Sequence, residues 1–110
     1  MKLWLDDERD PSNQFIIDNF GSSAELTWVK TAHEAIVLFK NNKISYISFD
    51  HDLGDSSNGT GLDVAKWIEE AAFNGLIAPL QWAVHSKNPV GSQNIIFAMQ
   101  SAEKFWGLYS

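Results

Sequence analysis

Tyr46-Ile47-Ser48-Phe49-Asp50-His51-Asp52-Leu53-Gly54 decides the reading of this chain: an apolar run breaks abruptly into two carboxylates flanking an imidazole. Ionisable groups packed this tightly at the end of a buried strand are costly unless they are paired, solvated or used. Two other segments share the layout of apolar strand and polar tip, Leu3-Trp4-Leu5-Asp6-Asp7-Glu8-Arg9 and Gln81-Trp82-Ala83-Val84-His85-Ser86-Lys87-Asn88. If the three strands run parallel, their carboxyl ends meet, and Asp6, Asp7, Asp50, His51, Asp52, His85 and Ser86 converge on one crevice.

Working outward, the remaining pattern supplies the scaffold. Pro11 stops the first strand, and Ser12 to Phe20 reads as a short helix or a packed irregular segment. Leu26 to Val29 is a second strand. Thr31-Ala32-His33-Glu34 has capping-box spacing, followed by an apolar face of Ala35, Ile36, Leu38 and Phe39 that ends at Asn41-Asn42. His33, in the first turn, reads as merely exposed. After the central strand, Ile44 to Phe49, comes a polar loop containing Gly54 and Gly59. Thr60 and Asp63 then open a helix with Leu62, Ala65, Trp67, Ile68 and Ala72 on its face, stopped by Gly75. Leu80 to Val84 is the fourth strand, and Asn88-Pro89 caps and begins a last helix faced by Ile95, Ile96, Met99, Ala102, Phe105 and Trp106. Right-handed crossovers then predict a three-layer α/β fold: a short parallel sheet of about four strands, order 2-1-3-4, with helices on both faces.

Composition narrows the classes. With 110 residues and 45% apolar content the chain reads as one domain, residues 1–110. A formal charge of −6 repels extended nucleic acid and argues against a duplex-binding groove, while leaving room for a short end or a single nucleotide. The absence of cysteine excludes disulfides, zinc-thiolate sites and thiol catalysis. No apolar run is long enough to span a membrane, and no membrane partner is expected; the reading is a cytoplasmic protein.

Two chemistries are open to the crevice. In the first, His51 and His85 act as acid and base on a phosphoester, Asp50 or Asp52 orienting an imidazole, since histidine with a pKa of about 6.5 can do either at neutral pH. Arg9, Ser86, Lys87, Asn88 and the backbone N–H groups around Val90 and Gly91 would seat the phosphate, a helix N-terminus carrying about half a positive charge. That scheme requires no cofactor. In the second, Asp6, Asp7 and Asp50 form a carboxylate nest for Mg²⁺. Alternation along an extended segment bears on the choice: side chains at successive positions oppose each other, so His51 can point away from Asp50 and Asp52 toward a helix. In that arrangement the two-histidine scheme gives way to the acidic, metal-binding one.

The motifs also resemble a known family. Asp6-Asp7 and Asp50 are similar to the Mg²⁺-binding acids and the phosphoacceptor of two-component receiver domains, whose fold is flavodoxin-like. His85 stands ahead of Ser86 where a receiver has Ser or Thr, and the receiver's fifth strand and lysine are missing. The resemblance is closer to receiver-like domains proposed to process cyclic phosphates. Its carriers are Leu3-Trp4-Leu5-Asp6-Asp7-Glu8-Arg9-Asp10-Pro11, Ser48-Phe49-Asp50-His51-Asp52-Leu53-Gly54 with Gly59-Thr60-Gly61, and Val84-His85-Ser86-Lys87-Asn88-Pro89-Val90-Gly91. It implies a phosphoesterase (a hydrolase) acting on a nucleotide, either a 2′,3′-cyclic phosphate RNA end or a small cyclic nucleotide. The alternative is a receiver-derived module that binds a phosphorylated ligand, Mg²⁺ or a protein partner without chemistry.

Overall fold

The computed structural model describes residues 1–12 and 26–108. The segment Ser12 to Phe20, read above as helix or irregular chain, therefore lies almost wholly outside the described residues. Four parallel strands, β1 (Lys2–Leu5), β2 (Leu26–Val29), β3 (Tyr46–Phe49) and β4 (Gln81–Val84), form one sheet in the order β2-β1-β3-β4. Among the described residues three α-helices accompany them: α1 (Ala32–Asn41), α2 (Gly61–Phe73) and α3 (Pro89–Phe105). This is the expected α/β receiver-like fold. None of these helices is long and apolar enough to cross a membrane.

Strand alternation sorts the side chains of the sheet into two sets. Leu3, Leu5, Ile47 and Phe49 join one core with Ala35 and Phe39 of α1, Val64, Ala65 and Ile68 of α2, and Ile95, Ala98 and Met99 of α3. Trp4 and Ser48, at the intervening positions, are equally buried but lie outside that cluster. They sit in register with each other and with Ala83 across β1, β3 and β4. Continuing the period by two places Asp6, Asp50 and His85 beyond the strand ends on that same side. The functional edge is thus a continuation of the buried pleat.

The caps hold with one change of detail. At α2 the Thr60 hydroxyl accepts from Asp63 N–H while the Asp63 carboxylate accepts from Thr60 N–H, a complete box. At α1 the Thr31 hydroxyl accepts from Glu34 N–H, but the Glu34 carboxylate accepts from that hydroxyl instead of from the Thr31 backbone. Asn88 and Pro89 are N-cap and first residue of α3 as expected. Phe105 is not on the buried face; it is exposed and packs edge-on against exposed Phe73 at 5.1 Å, because the buried stripe of α3 runs through Gly91, Ile95, Ala98, Met99 and Ala102.

Gly61 fixes how α2 docks beneath the tip of β3. Its N–H donates to His51 O at 2.9 Å, and a Cβ there would fall on the Asp50 carbonyl oxygen, 2.9 Å from its carbon and 3.2 Å from His51 Cα. Replacing an exposed helical glycine by alanine ordinarily gains up to about 1 kcal/mol. Here Gly61→Ala is expected to lose about 1–3 kcal/mol by forcing backbone apart. Urea unfolding measures it; a gain in midpoint would show that the helix shifts without cost.

Candidate functional site

The three strand tips meet as expected, and Asp6 is their centre. Its carboxylate is fully buried. Oδ1 accepts from the backbone N–H groups of Glu8 and Arg9, both at 2.9 Å, and Oδ2 from His85 Nε2 at 3.0 Å, with the Arg9 guanidinium 3.3 Å away. Burial is the largest single influence on this carboxyl and pushes its pKa up. The His85 hydrogen bond, the Arg9 and Glu8 N–H groups and the His85 charge together outweigh it, so Asp6 lies below its ordinary value.

His85 is built into the same knot. It is only 6% exposed, its ring stacks on Trp4 at 3.8 Å and 5°, and Nδ1 lies 2.7 Å from Ser48 Oγ. An ionised carboxylate only accepts, so His85 donates from Nε2 to Asp6, and Nδ1 pairs with the Ser48 hydroxyl, which can either donate or accept. Arg9 closes the circle, donating from Nη1 to His85 O at 3.1 Å and accepting at its own carbonyl from Trp4 Nε1 at 2.9 Å. Both nitrogens of His85 are therefore engaged inside the protein, and the ring acts as a strut between β1, β3 and β4.

His51 lies where alternation allowed. Its ring packs on the first turn of α3 and its side chain is 17% exposed; a Cβ on Gly91 would fall 2.6 Å from Cδ2 and 2.8 Å from Nδ1. Asp52, expected to oppose it, accompanies it instead, because β3 ends at Phe49 and strand alternation does not extend that far; Oδ1 accepts from Nδ1 at 2.9 Å. Asp50 goes the other way, toward Asp6 and Arg9. The crevice therefore does not present two imidazoles to one phosphate.

What does line the crevice is Asp7, Glu8, Arg9, Asp50, Asp52, Gly54 and Lys87, around a cleft of about 290 Å³. Two cations and four carboxylates share a small space. Asp6, Asp7 and Asp50 each offer an oxygen within 4.8 Å of the others, an all-oxygen donor set that suits a hard divalent cation such as Mg²⁺. The fit is chemical as well as geometric. Among the described residues no hydrogen bond is donated to the Asp7 carboxylate, and the Asp50 carboxylate has the Arg9 guanidinium only at 3.9 Å. Burial above all, then the charge of Asp6, raises the Asp50 pKa above its ordinary value against the pull of His85 and Arg9.

The remaining expected phosphate ligands divide. Lys87 and Arg9 stand on the cleft wall. Asn88 and Ser86 are used locally: Asn88 Oδ1 accepts from Gly91 N–H at 3.0 Å, and Ser86 Oγ accepts from Asn88 N–H at 3.1 Å. The Gly91 N–H is thereby taken by the cap, and Val90 turns an exposed side chain outward. Sequence reasoning passed over Ser48 and Trp4 as site residues. The period-two spacing Trp4-Asp6 and Ser48-Asp50 was the available signal. His33 is exposed, as expected.

The model of the cyclic-phosphate processing Receiver domain family matches residues 1–101, and the chain belongs to that family. Neither a curated protein nor a solved structure matches it.

Asp50 and Asp6 make opposite contributions to stability with pH. A carboxyl whose folded pKa is raised favours the fold while protonated and weakens it once pH climbs through that value, whereas Asp6 stabilises above the unfolded value of 3.8 and loses its contribution as pH falls through its lower folded value. Asp50→Asn is therefore expected to melt above the native protein at pH 7, the advantage shrinking as pH falls toward 3.8. Thermal melts across pH measure this; an advantage independent of pH would dissociate Asp50 ionisation from it.

Proposed function

We propose that the cleft binds the phosphate of a 2′,3′-cyclic phosphate RNA end or small cyclic nucleotide and hydrolyses one of its ester bonds with the help of a divalent cation. The observation that carries the reading is the lining of the cleft: Arg9 and Lys87 share it with Asp7 and Asp50, so that one cleft offers groups for an anion and for a divalent cation. The family's description supplies the cyclic phosphate.

Asp7 and Asp50 are the residues that would hold the cation, with Asp6, already saturated by its own donors, adding negative charge behind them. Bound there, Mg²⁺ would neutralise phosphoryl charge as a Lewis acid. The chain's own groups do the rest. Arg9 and Lys87 bind the non-bridging oxygens, Arg9 from a guanidinium already oriented by Asp6 and the His85 carbonyl. Asp52, whose carboxyl is held below the ordinary range chiefly by its His51 hydrogen bond, stands on the cleft wall as an ionised acceptor oriented by that imidazole. A water oxygen bonds to phosphorus, its proton passes to the Asp52 carboxylate, the bond to one ribose oxygen breaks, and that oxygen takes the proton back. The products are a phosphomonoester and a free hydroxyl. His85 supports Asp6 and Arg9 in this scheme and does not touch the phosphate.

The assay is turnover of 2′,3′-cyclic mononucleotides and of RNA oligomers with cyclic-phosphate ends, with Mg²⁺ or with a chelator. Expected are Mg²⁺-dependent turnover, its loss in Asp50→Asn, and a fall of about 10²–10⁴-fold in Asp52→Asn. No turnover of either substrate with any divalent cation would overturn hydrolysis and leave a phosphate-binding module. Turnover that survives chelation and requires both His51 and His85 would restore the two-imidazole mechanism.

A further inference from the structure

At the amino ends of the strands, remote from the cleft, one apolar side chain stands between two pockets of unlike charge. Leu76 follows the stop of α2 and is 71% exposed. Backbone bonds hold it there. Gly75 takes a φ of 68°, its N–H donates to Ala72 O at 3.1 Å, and the Leu76 N–H donates to Ala71 O at 2.9 Å, the paired closure that fixes the direction of the residue after the glycine. An apolar group held out on a fixed turn gains free energy when it is covered and has little freedom left to lose.

Leu76 is a wall of both pockets. The larger, about 380 Å³, has buried Phe39, Ile44 and Leu80 in its lining and carries exposed Lys40 and Lys43. The smaller, about 150 Å³, lies along α2 and is lined by Trp67, Glu70 and Asn74. Phe39 of the first packs against Trp67 of the second at 5.7 Å, so the two form one continuous surface. Among the described residues the first pocket is lined by two cations and no acid, the second by an acid and no cation, and neither lysine forms an ion pair with Glu70 or with any other group.

Such a surface is complementary to itself. A two-fold axis passing Leu76, at right angles to the line from pocket to pocket, sets each lysine pocket against the Glu70 pocket of a second copy and brings the two leucines together. The net charge of −6 makes copies of the chain repel at a distance, so they associate only where charges match locally. A partner of one sign, such as an acidic peptide, would suit one pocket and be repelled at the other.

We propose that this surface is an isologous dimer interface in which Leu76 packs on its equivalent while Lys40 and Lys43 pair with Glu70 of a second copy. Residues 43–44 lead into β3 and residues 77–80 into β4, so the interface lies at the amino ends of the strands and leaves both clefts, at the carboxyl ends, open.

Sedimentation equilibrium of the full chain tests it. The native protein is expected to dimerise with a Kd on the order of 10–100 µM, as suits a small interface. Leu76→Asp should leave monomer alone, as should Glu70→Lys and the double variant Lys40→Glu/Lys43→Glu, each of which sets like charges together. All three change exposed side chains and should melt close to the native protein. Mixed in equal amounts, the two charge variants should dimerise again, because both contacts of the mixed pair then join opposite charges. That mixture should stop at two copies, whereas a head-to-tail contact would go on adding them. A native protein still monomeric at about 1 mM, a dimer indifferent to these changes, a mixture that stays monomeric, or growth past two copies would overturn the proposal.

Discussion

A carboxylate with no access to water governs this edge of the molecule. Burying an ionised Asp6 would cost several kcal/mol without compensation, and a charge in that position persists only if donors surround it. Two donors are backbone N–H groups of the turn that follows, which bends the chain back over the carboxylate. The third is an imidazole from β4, and the fourth approach is the guanidinium of Arg9. Asp6 is also anchored through its main chain, its N–H donating to Val29 O and its carbonyl accepting from Trp28 Nε1 at 2.7 Å. One residue thus links the turn after β1 to β2 and β4, and the path of Arg9 into the cleft follows from it.

The supply of donors explains why neighbouring carboxyls differ. Asp6 and Asp50 share a side of the sheet, and their charges repel. Asp6 receives the close donors and is held ionised below its ordinary value; Asp50, one strand over, has the guanidinium at 3.9 Å and is pushed up by burial and by Asp6. The first carboxylate is consumed by structure. The second remains short of positive charge in the wall of an open cleft, which is the electrostatic condition for attracting a cation.

Much of this was legible in the sequence. Strand order, helix caps and the convergence of three polar tips follow from periodicity, from Thr60, Asn88 and Pro89, and from the handedness of crossovers. The period of two even allowed for the separation of His51 from Asp50. What it did not give was the fate of His85. Nothing in Val84-His85-Ser86 says that the ring lies flat on a tryptophan from β1 with a serine from the middle of β3 at one nitrogen. Those partners are set by register between strands remote in sequence. The same holds for Asn88, whose capping oxygen is a local property but whose amide nitrogen faces Asp52 only because β3 and β4 are adjacent. Phe105 was misplaced for a third reason: apolar spacing at a helix end does not specify where the neighbouring helix stops.

The two histidines can then be understood by the faces they occupy. Strand tips are the least constrained part of a parallel sheet, since the ladder ends there and each tip continues into a loop. A site assembled from three tips needs ties between them, and a catalytic arrangement loses rate steeply when its groups drift by an ångström. On one side of the sheet His85 ties β4 to Asp6 and Ser48; on the other, the first turn of α3 meets His51 and Asp52 at the tip of β3. The buried ring has both nitrogens committed and can only brace. The ring on the helix side has one nitrogen paired with Asp52, a carboxylate on the cleft wall, and so holds that group at the tip of β3. Identical side chains on adjacent strands thereby acquire different work, decided by which way the pleat turns them.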